Sequence, residues 1–362
     1  MSLIDEAREI RKGEQLDVDK VDAWIKTHVP NLQGALRLRQ FPGGASNLTY
    51  HAAYDNADFI LRRPPFGTKA KSAHDMGREF RVMQALKPIF PLVPEMVAFC
   101  DDASVMGCDF YLMERIQGII PRAELPEGLT LSPAQIREMC TQAIDTLIAL
   151  HKAPWQGTPL ANLGKPDGYV QRQIEGWSER YRAARTDNVP DFEWVMDWLH
   201  KNMPAQSATV VVHNDYRFDN LVFDPKNPTQ IIGVLDWEMA TLGDPLMDLG
   251  NSLCYWIQAD DPAWIHMMRQ QPTHLPGMMS RDEVVAYYCE KMGFENLDFL
   301  FYRLYGLFRI AVILQQIYYR FYHKQTQDPR FAPFYKIVNA LNGYCCDLIN
   351  TSSLKDSSSQ SR

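Results

Sequence analysis

Four polar residues, each at the end of a short apolar run, carry the chemistry that this sequence suggests. Val210, Val211 and Val212 lead into His213-Asn214-Asp215, and a second run, Leu221 to Phe223, follows directly after Asn220. A turn at Asp224-Pro225-Lys226-Asn227-Pro228 sends the chain back through Ile231 to Leu235, which ends on Asp236. Short β-rich runs around a Pro/Asn turn predict a hairpin, so His213, Asp215, Asn220 and Asp236 fall at strand ends. Any one of them alone is a common turn former. An Asp and an Asn with four residues between them, with a second Asp at the end of the next hairpin strand, is the arrangement that phosphoryl transfer uses. One carboxylate orients a hydroxyl and takes its proton, while an amide oxygen and the other carboxylate hold Mg²⁺ against phosphates.

These segments, VHNDYRFDNLVF and VLDWEMATLGDPLMDLG, resemble the catalytic and metal segments of the aminoglycoside phosphotransferase family. The resemblance runs roughly from Phe41 to Trp256. It implies an α+β, protein-kinase-like fold of two lobes, with a small antiparallel-sheet N-lobe and a larger, mainly helical C-lobe. It implies ATP and Mg²⁺, with Asp215 as base, His213 in support, and Asn220 and Asp236 as metal ligands. Trp237-Glu238 stands where eukaryotic protein kinases have Phe-Gly, which points to the small-molecule branch. Within the family the chain looks most like the phosphotransferase part of certain acyl-CoA dehydrogenase-linked proteins. That implies a hydroxylated acyl or acyl-CoA substrate and a functional link to an acyl-CoA dehydrogenase.

The elements upstream have to position the phosphates. Leu36-Arg37-Leu38-Arg39 alternates like a half-buried strand, and Leu48 to Tyr54 resumes strand character. Between them lies Phe41-Pro42-Gly43-Gly44-Ala45-Ser46-Asn47, a turn whose glycines let backbone approach a phosphate. Gly44, Ser46 and Asn47 are the nucleotide-covering candidates. Asp58 to Pro64 is a third strand. It offers Arg62 or Arg63 where kinase-like folds place a phosphate-clamping Lys, and Arg62 is preferred because alternation sends the two to opposite faces. A helix over Ser72 to Leu86 carries Glu79 as the acid that would hold this cation. Strands follow at Met96 to Cys100 and Phe110 to Glu114. The segment Met113 to Gly118 looks like the hinge, with Glu114 and Ile116 beside the adenine. The division expected is 1–117 for the nucleotide lobe, 118–350 for the catalytic and substrate lobe, and 351–362 for a Ser-rich disordered tail.

Downstream, Ser132-Pro133-Ala134-Gln135 opens a long helix whose last residue, His151, reads as a terminus stabiliser. Helices are expected over Tyr169 to Arg182 and Asp191 to Asn202. Asp244-Pro245 is a strong helix start. Residues 262–276 show no period and suggest a lid or substrate loop. Ser280 to Glu283 is a capping box, and Asn296 is expected to cap a helix over Leu297 to Lys324. Arg309 lies among apolar residues of that helix and needs a partner, either an acid of the same lobe or an anionic group of the substrate. Arg320 is a second candidate for such an anion.

Bulk properties exclude several classes. The 362 residues suffice for two cores, and a net charge of −7 argues against nucleic acid. No long uncharged apolar run predicts membrane insertion, and the charged N-terminus lacks the apolar core of a signal peptide. Seven cysteines without paired spacing suggest reduced thiols and a cytoplasmic setting. The expected partner is a small-molecule hydroxyl compound. A cationic acceptor such as an aminoglycoside or choline is the runner-up, with Asp260-Asp261, Trp256 and Trp264 available to it. A nucleotide-binding pseudokinase is the reading from another class, fed by Arg in place of Lys.

Overall fold

The computed structural model describes residues 3–42, 47–67 and 75–359. In chain order the elements are α1 (Val18–His28), β1 (Arg37–Gln40), β2 (Leu48–Ala53), β3 (Asp58–Arg63), α2 (Met76–Leu86), β4 (Met96–Cys100), α3 (Ala103–Met106), β5 (Phe110–Glu114) and α4 (Pro133–His151). They continue with α5 (Tyr169–Ala184), α6 (Glu193–Lys201), β6 (Val210–Val212), β7 (Leu221–Asp224), β8 (Asn227–Val234), β9 (Thr241–Gly243), α7 (Pro245–Leu253), α8 (Ala263–His266), α9 (Arg281–Met292), α10 (Leu300–Tyr322) and α11 (Phe334–Ser359). The chain is α+β, as expected, and forms two compact units. Unit 1 is Met1–Ala149, Ala153–Leu163 and Phe218–Ala240; unit 2 is Leu150–Lys152, Gly164–Arg217 and Thr241–Arg362. Both units are discontinuous in sequence.

Unit 1 is built on an antiparallel sheet in the order β1-β2-β3-β5-β4. Leu48, Tyr50 and Ala52 of β2 alternate inward, and Val21 and Ile25 of α1 join them with Leu61, Phe110 and Leu112 in one core. Asp17 caps α1 by accepting from the Lys20 amide, and Asp75 caps α2 by accepting from that of Arg78. The start at Ser72 read from the sequence lies outside the described residues, as do Gly44 and Ser46 of the turn between β1 and β2. The register pairs Arg62 with Thr49 on one side and with Tyr111 on the other, fixing it mid-sheet. The β7–β8 hairpin belongs to this unit and is tied to Ile119 by two backbone hydrogen bonds of 2.8 Å with Phe223. Gly118 is required there, because a Cβ would sit 2.5 Å from the Phe223 carbonyl.

Unit 2 is mainly helical, with β6 paired antiparallel to β9. Asp244 caps α7 through the Leu246 and Met247 amides, with Pro245 at the first position, and also accepts from Ser207. The helix α10 packs closely on α7 where two glycines meet: a Cβ on Gly250 would lie 2.4 Å from the Tyr302 carbonyl, and one on Gly306 2.3 Å from that of Gly250. This close approach lets Asp248 of α7 and Arg309 of α10 be buried on one body. The expected capping box at Ser280 and Glu283 is present. Asn296 does not cap α10. It takes a left-handed conformation, φ 50°, while the Asp298 side chain accepts from the Leu300 amide where the helix begins. The segment 262–276, read as irregular, contains α8 and a series of turns. The helix α11 continues to Ser359, through the start of the expected tail. No helix among the described residues is long and apolar enough to cross a membrane.

Candidate active site

The candidate residues of unit 1 gather around one buried arginine. Arg62 of β3 faces Glu79 of α2 at 3.2 Å, is hydrogen-bonded to the Asp236 carboxylate, and has Glu238 at 3.9 Å. Burial by itself would lower the Arg62 pKa, but Asp236 and Glu79 raise it well above its ordinary value, so the guanidinium stays charged. The same burial pushes the Glu79 carboxyl up, against the pull of Arg62. Arg63, on the opposite side of the strand, donates to the Pro64 carbonyl and lies 3.7 Å over the Phe66 ring. Asn47 is buried and donates to Glu238 at 2.9 Å, while its own Oδ1 is buried with no hydrogen-bond partner among the described residues.

The hairpin brings Asn220 to this cluster. Leu221 pairs with Val234, and one step on, the Asn220 carbonyl accepts from the Leu235 amide at 2.8 Å, next to Asp236. Asp236 is left-handed, φ 66°. The segment after it is fastened by Trp237, which is fully buried, donates to the Val234 carbonyl and meets Phe90 edge-on. Arg78 adds two bonds to the Glu238 and Ala240 carbonyls, a role that the sequence did not reveal. Asp236, Glu79 and Glu238 thus place three carboxyl groups around the Arg62 guanidinium. Asn220 and Asp236 add two hard oxygen donors, and Mg²⁺ commonly takes only one or two protein ligands and keeps its waters. The residues therefore fit this ion, although no group of three or more His, Cys, Asp or Glu side chains converges as a metal site among the described residues. Of the hinge candidates, Glu114 ends β5, accepts from the Glu95 amide and pairs with Lys87 at 3.6 Å. Ile116 fills the space that a Cβ on Gly233 would need.

In unit 2 the residues after β6 are held by a carboxylate that sequence reasoning missed. Asp248 is fully buried and accepts from the backbone amides of His213, 2.8 Å, and Asn214, 2.7 Å. Its other partner is His151 Nε2 at 3.1 Å, whose Nδ1 lies 2.5 Å from the Tyr288 hydroxyl. His151 is thus an interior residue rather than a stabiliser of an exposed helix end. Burial works to raise the Asp248 pKa, but the His151 and His213 interactions hold it below the usual carboxylate value. A signal was present: an acid one turn into a helix and set between Leu246-Met247 and Leu249 has no polar face to occupy.

Asn214, φ 64°, sits between these groups. Its side-chain oxygen accepts from Tyr169 at 3.0 Å and Asn251 at 3.1 Å, and its backbone carbonyl accepts from Arg309 Nη2 at 2.8 Å. Arg309 is 4% exposed and packs its guanidinium 5.2 Å from the Trp177 ring centroid. Its hydrogen-bond partner is neither an acid nor an exposed anion site but the carbonyl joined to Asp215. The Asp215 amide donates to His213 Nδ1 at 3.2 Å, and Arg217 Nε lies 3.4 Å from its carboxylate. Arg217 is spread over Tyr255 and was also missed. Arg320 is exposed, eleven residues further along α10, about 16 Å by helical rise, and is not brought to this turn.

The chain belongs to the phosphotransferase enzyme family, whose model matches residues 37–283. The neighbouring solved structures give it the protein-kinase-like fold. A Ralstonia eutropha JMP134 protein carrying the provisional name aminoglycoside phosphotransferase matches with TM-score 0.78 and 30% identity, over 93% of this chain and 99% of that one. The choline kinase of Cryptosporidium parvum Iowa II shares the fold at TM-score 0.63 and 12% identity, over 93% and 97% of the two chains. Among curated relatives, acyl-CoA dehydrogenase family member 10 of Mus musculus is 36% identical over 86% of this chain. Acyl-CoA dehydrogenase family member 11 of Homo sapiens is 32% identical over the same share. The chain spans 29% and 40% of the length of these two relatives.

Proposed function

We propose that this phosphotransferase is a small-molecule kinase that moves the γ-phosphoryl group of ATP to a substrate hydroxyl. The observation that carries the reading is the Asp215 turn: α7 and α10 bond its backbone and α5 bonds the Asn214 side chain, while the Asp215 carboxylate keeps 22% of its exposure. A general base needs a fixed geometry and access to its substrate together. Asp215 orients the acceptor hydroxyl and takes its proton as the oxygen bonds to phosphorus and the bond from phosphorus to the β-phosphate oxygen breaks. His213 supports this turn through its backbone and Nδ1. Asn220 and Asp236 would hold Mg²⁺, which when bound neutralises charge on the phosphates. Arg62, kept charged by its acidic neighbours and braced by Glu79, positions phosphate oxygens. Asn47, whose buried oxygen has no partner among the described residues, closes the same region, and Glu114 and Ile116 flank the base.

The acceptor proposed is a hydroxyacyl or acyl-CoA-type compound. The support is the shared sequence with two relatives named as acyl-CoA dehydrogenase family members, and a functional link to such a dehydrogenase follows from the same names. Seven free cysteines suit a reducing, cytoplasmic setting. The test is a transfer screen with MgATP and hydroxyacyl-CoA esters beside kanamycin and choline, read by phosphorus NMR of the product. Transfer to the CoA esters alone supports the acceptor class. Transfer to kanamycin or choline instead overturns that class, and nucleotide binding with no transfer to any compound overturns the kinase itself.

A further inference from the structure

We infer that Arg309 is a positioning residue for the reaction, acting through the Asn214 carbonyl on the orientation of Asp215. The inference rests on the proposed role of Asp215. A buried guanidinium is costly unless its donors are satisfied. Arg309 meets only part of that demand: Nη2 donates to the Asn214 carbonyl at 2.8 Å, while Nη1 is buried with no hydrogen-bond partner among the described residues. Burial works against its charge and the Asp215 carboxylate works to keep it, while Tyr255 and Cys254 from beyond β6 and α7 and Tyr305 from one turn earlier on α10 line its surroundings. Trp177 of α5 covers its face. A residue serving packing alone would be replaced at less cost by an apolar side chain of the same length.

The carbonyl it holds is the informative one. Asn214 is left-handed, a conformation that a side-chain-bearing residue adopts at some cost and that persists where the surroundings over-determine it. Asp248 fixes the Asn214 amide, and Tyr169 and Asn251 fix its side-chain oxygen. The peptide leading into Asp215 is held from both sides: Arg309 donates to its carbonyl at 2.8 Å, and its amide donates to His213 Nδ1 at 3.2 Å. Rotation of that peptide would swing the Asp215 carboxylate, and the Arg309 hydrogen bond opposes it from the carbonyl side. An arginine suits the position because its planar fork packs over the Trp177 ring while it donates to the carbonyl; lysine offers a point charge with no preferred plane.

The test compares the full-length chain with Arg309→Met, Arg309→Lys, Asp215→Asn and the Asp215→Asn/Arg309→Met double variant. Hydrogen–deuterium exchange gives a readout independent of turnover. Arg309→Met is expected to speed exchange over residues 213–215 about tenfold, with the rest of α7 and α10 within about twofold, because opening is then local. Arg309→Lys, which retains the charge if the Met variant fails to fold, is expected to give a smaller rise confined to the same residues. With the acceptor from the screen, Arg309→Met lowers kcat about tenfold to a hundredfold and leaves the ATP KM within about twofold, as a displaced base would. In the Asp215→Asn background it lowers kcat no further. Unchanged exchange at 213–215, a rise spread over all of unit 2, or a full additional loss in the double variant would overturn the inference. Wild-type turnover in Asp215→Asn would sink the base assignment instead, and leaves the exchange result to judge Arg309 separately.

Discussion

The Arg62 guanidinium and the Glu79 carboxylate face each other at 3.2 Å with only 10% and 2% of their side chains exposed. Removing one member of such a pair strands the other charge in the interior. Arg62→Met is expected to destabilise unit 1 by about 3 kcal/mol or more, and the Arg62→Met/Glu79→Met double variant to recover part of that loss. Urea denaturation of wild type, Arg62→Met, Glu79→Met and the double variant measures this. A double variant as unstable as the sum of the single changes would mean that the two groups do not act as a pair.

Asp248 predicts a pH dependence. Its folded pKa lies below the ordinary aspartate value, so its contribution to stability is fully present above about pH 4 and is lost as the pH falls through the lower folded value. The stability gap between wild type and Asp248→Asn should therefore be constant from pH 7 to 5 and narrow below pH 4. A gap that stays constant to pH 3 would show that the ionised carboxylate is not what the two amides and His151 require.

Much of this arrangement could be read from the residues. Strand ends at His213, Asn220 and Asp236 follow from apolar runs of three to five residues with turn formers between them. Arg62 rather than Arg63 follows from alternation, and the register confirms that they face opposite ways. The bracing was not legible. Asp248, Asn251, Tyr169 and Arg309 come from three helices and meet Asn214 at long sequence separation, where no local period marks them. His151 was misread because a basic residue in a last turn is ordinarily a dipole partner, and the buried acid that receives it lies 97 residues away. Asn296 was misread because Asn serves equally as a cap and as a left-handed turn residue, and its φ of 50° shows the second use.

Asn214 separates conformation from hydrogen bonding. Asn214→Gly relieves the positive φ and loses the bonds from Tyr169 and Asn251; Asn214→Ala loses the bonds and keeps the strain. The Ala variant should be less stable than the Gly variant by about 1 kcal/mol, measured by denaturant midpoint. Equal stability would mean that the turn has relaxed out of the left-handed region.

Gly306 tests whether helix spacing sets the turn. A methyl there meets the Gly250 carbonyl, so Gly306→Ala must push α10 from α7 and carry Arg309 away from Asn214. The expected cost is about 1–3 kcal/mol by thermal or chemical denaturation, accompanied by faster exchange at 213–215. A variant as stable as wild type, with protected amides, would show that the two helices have slack at this crossing.

The role of Asp215 is tested most directly by Asp215→Asn, which keeps the side-chain shape and removes the proton acceptor. Single-turnover phosphoryl transfer from MgATP should fall by about a thousandfold, with nucleotide affinity by calorimetry unchanged within about twofold. Transfer at the wild-type rate in this variant would contradict the assignment of the base and the mechanism built upon it.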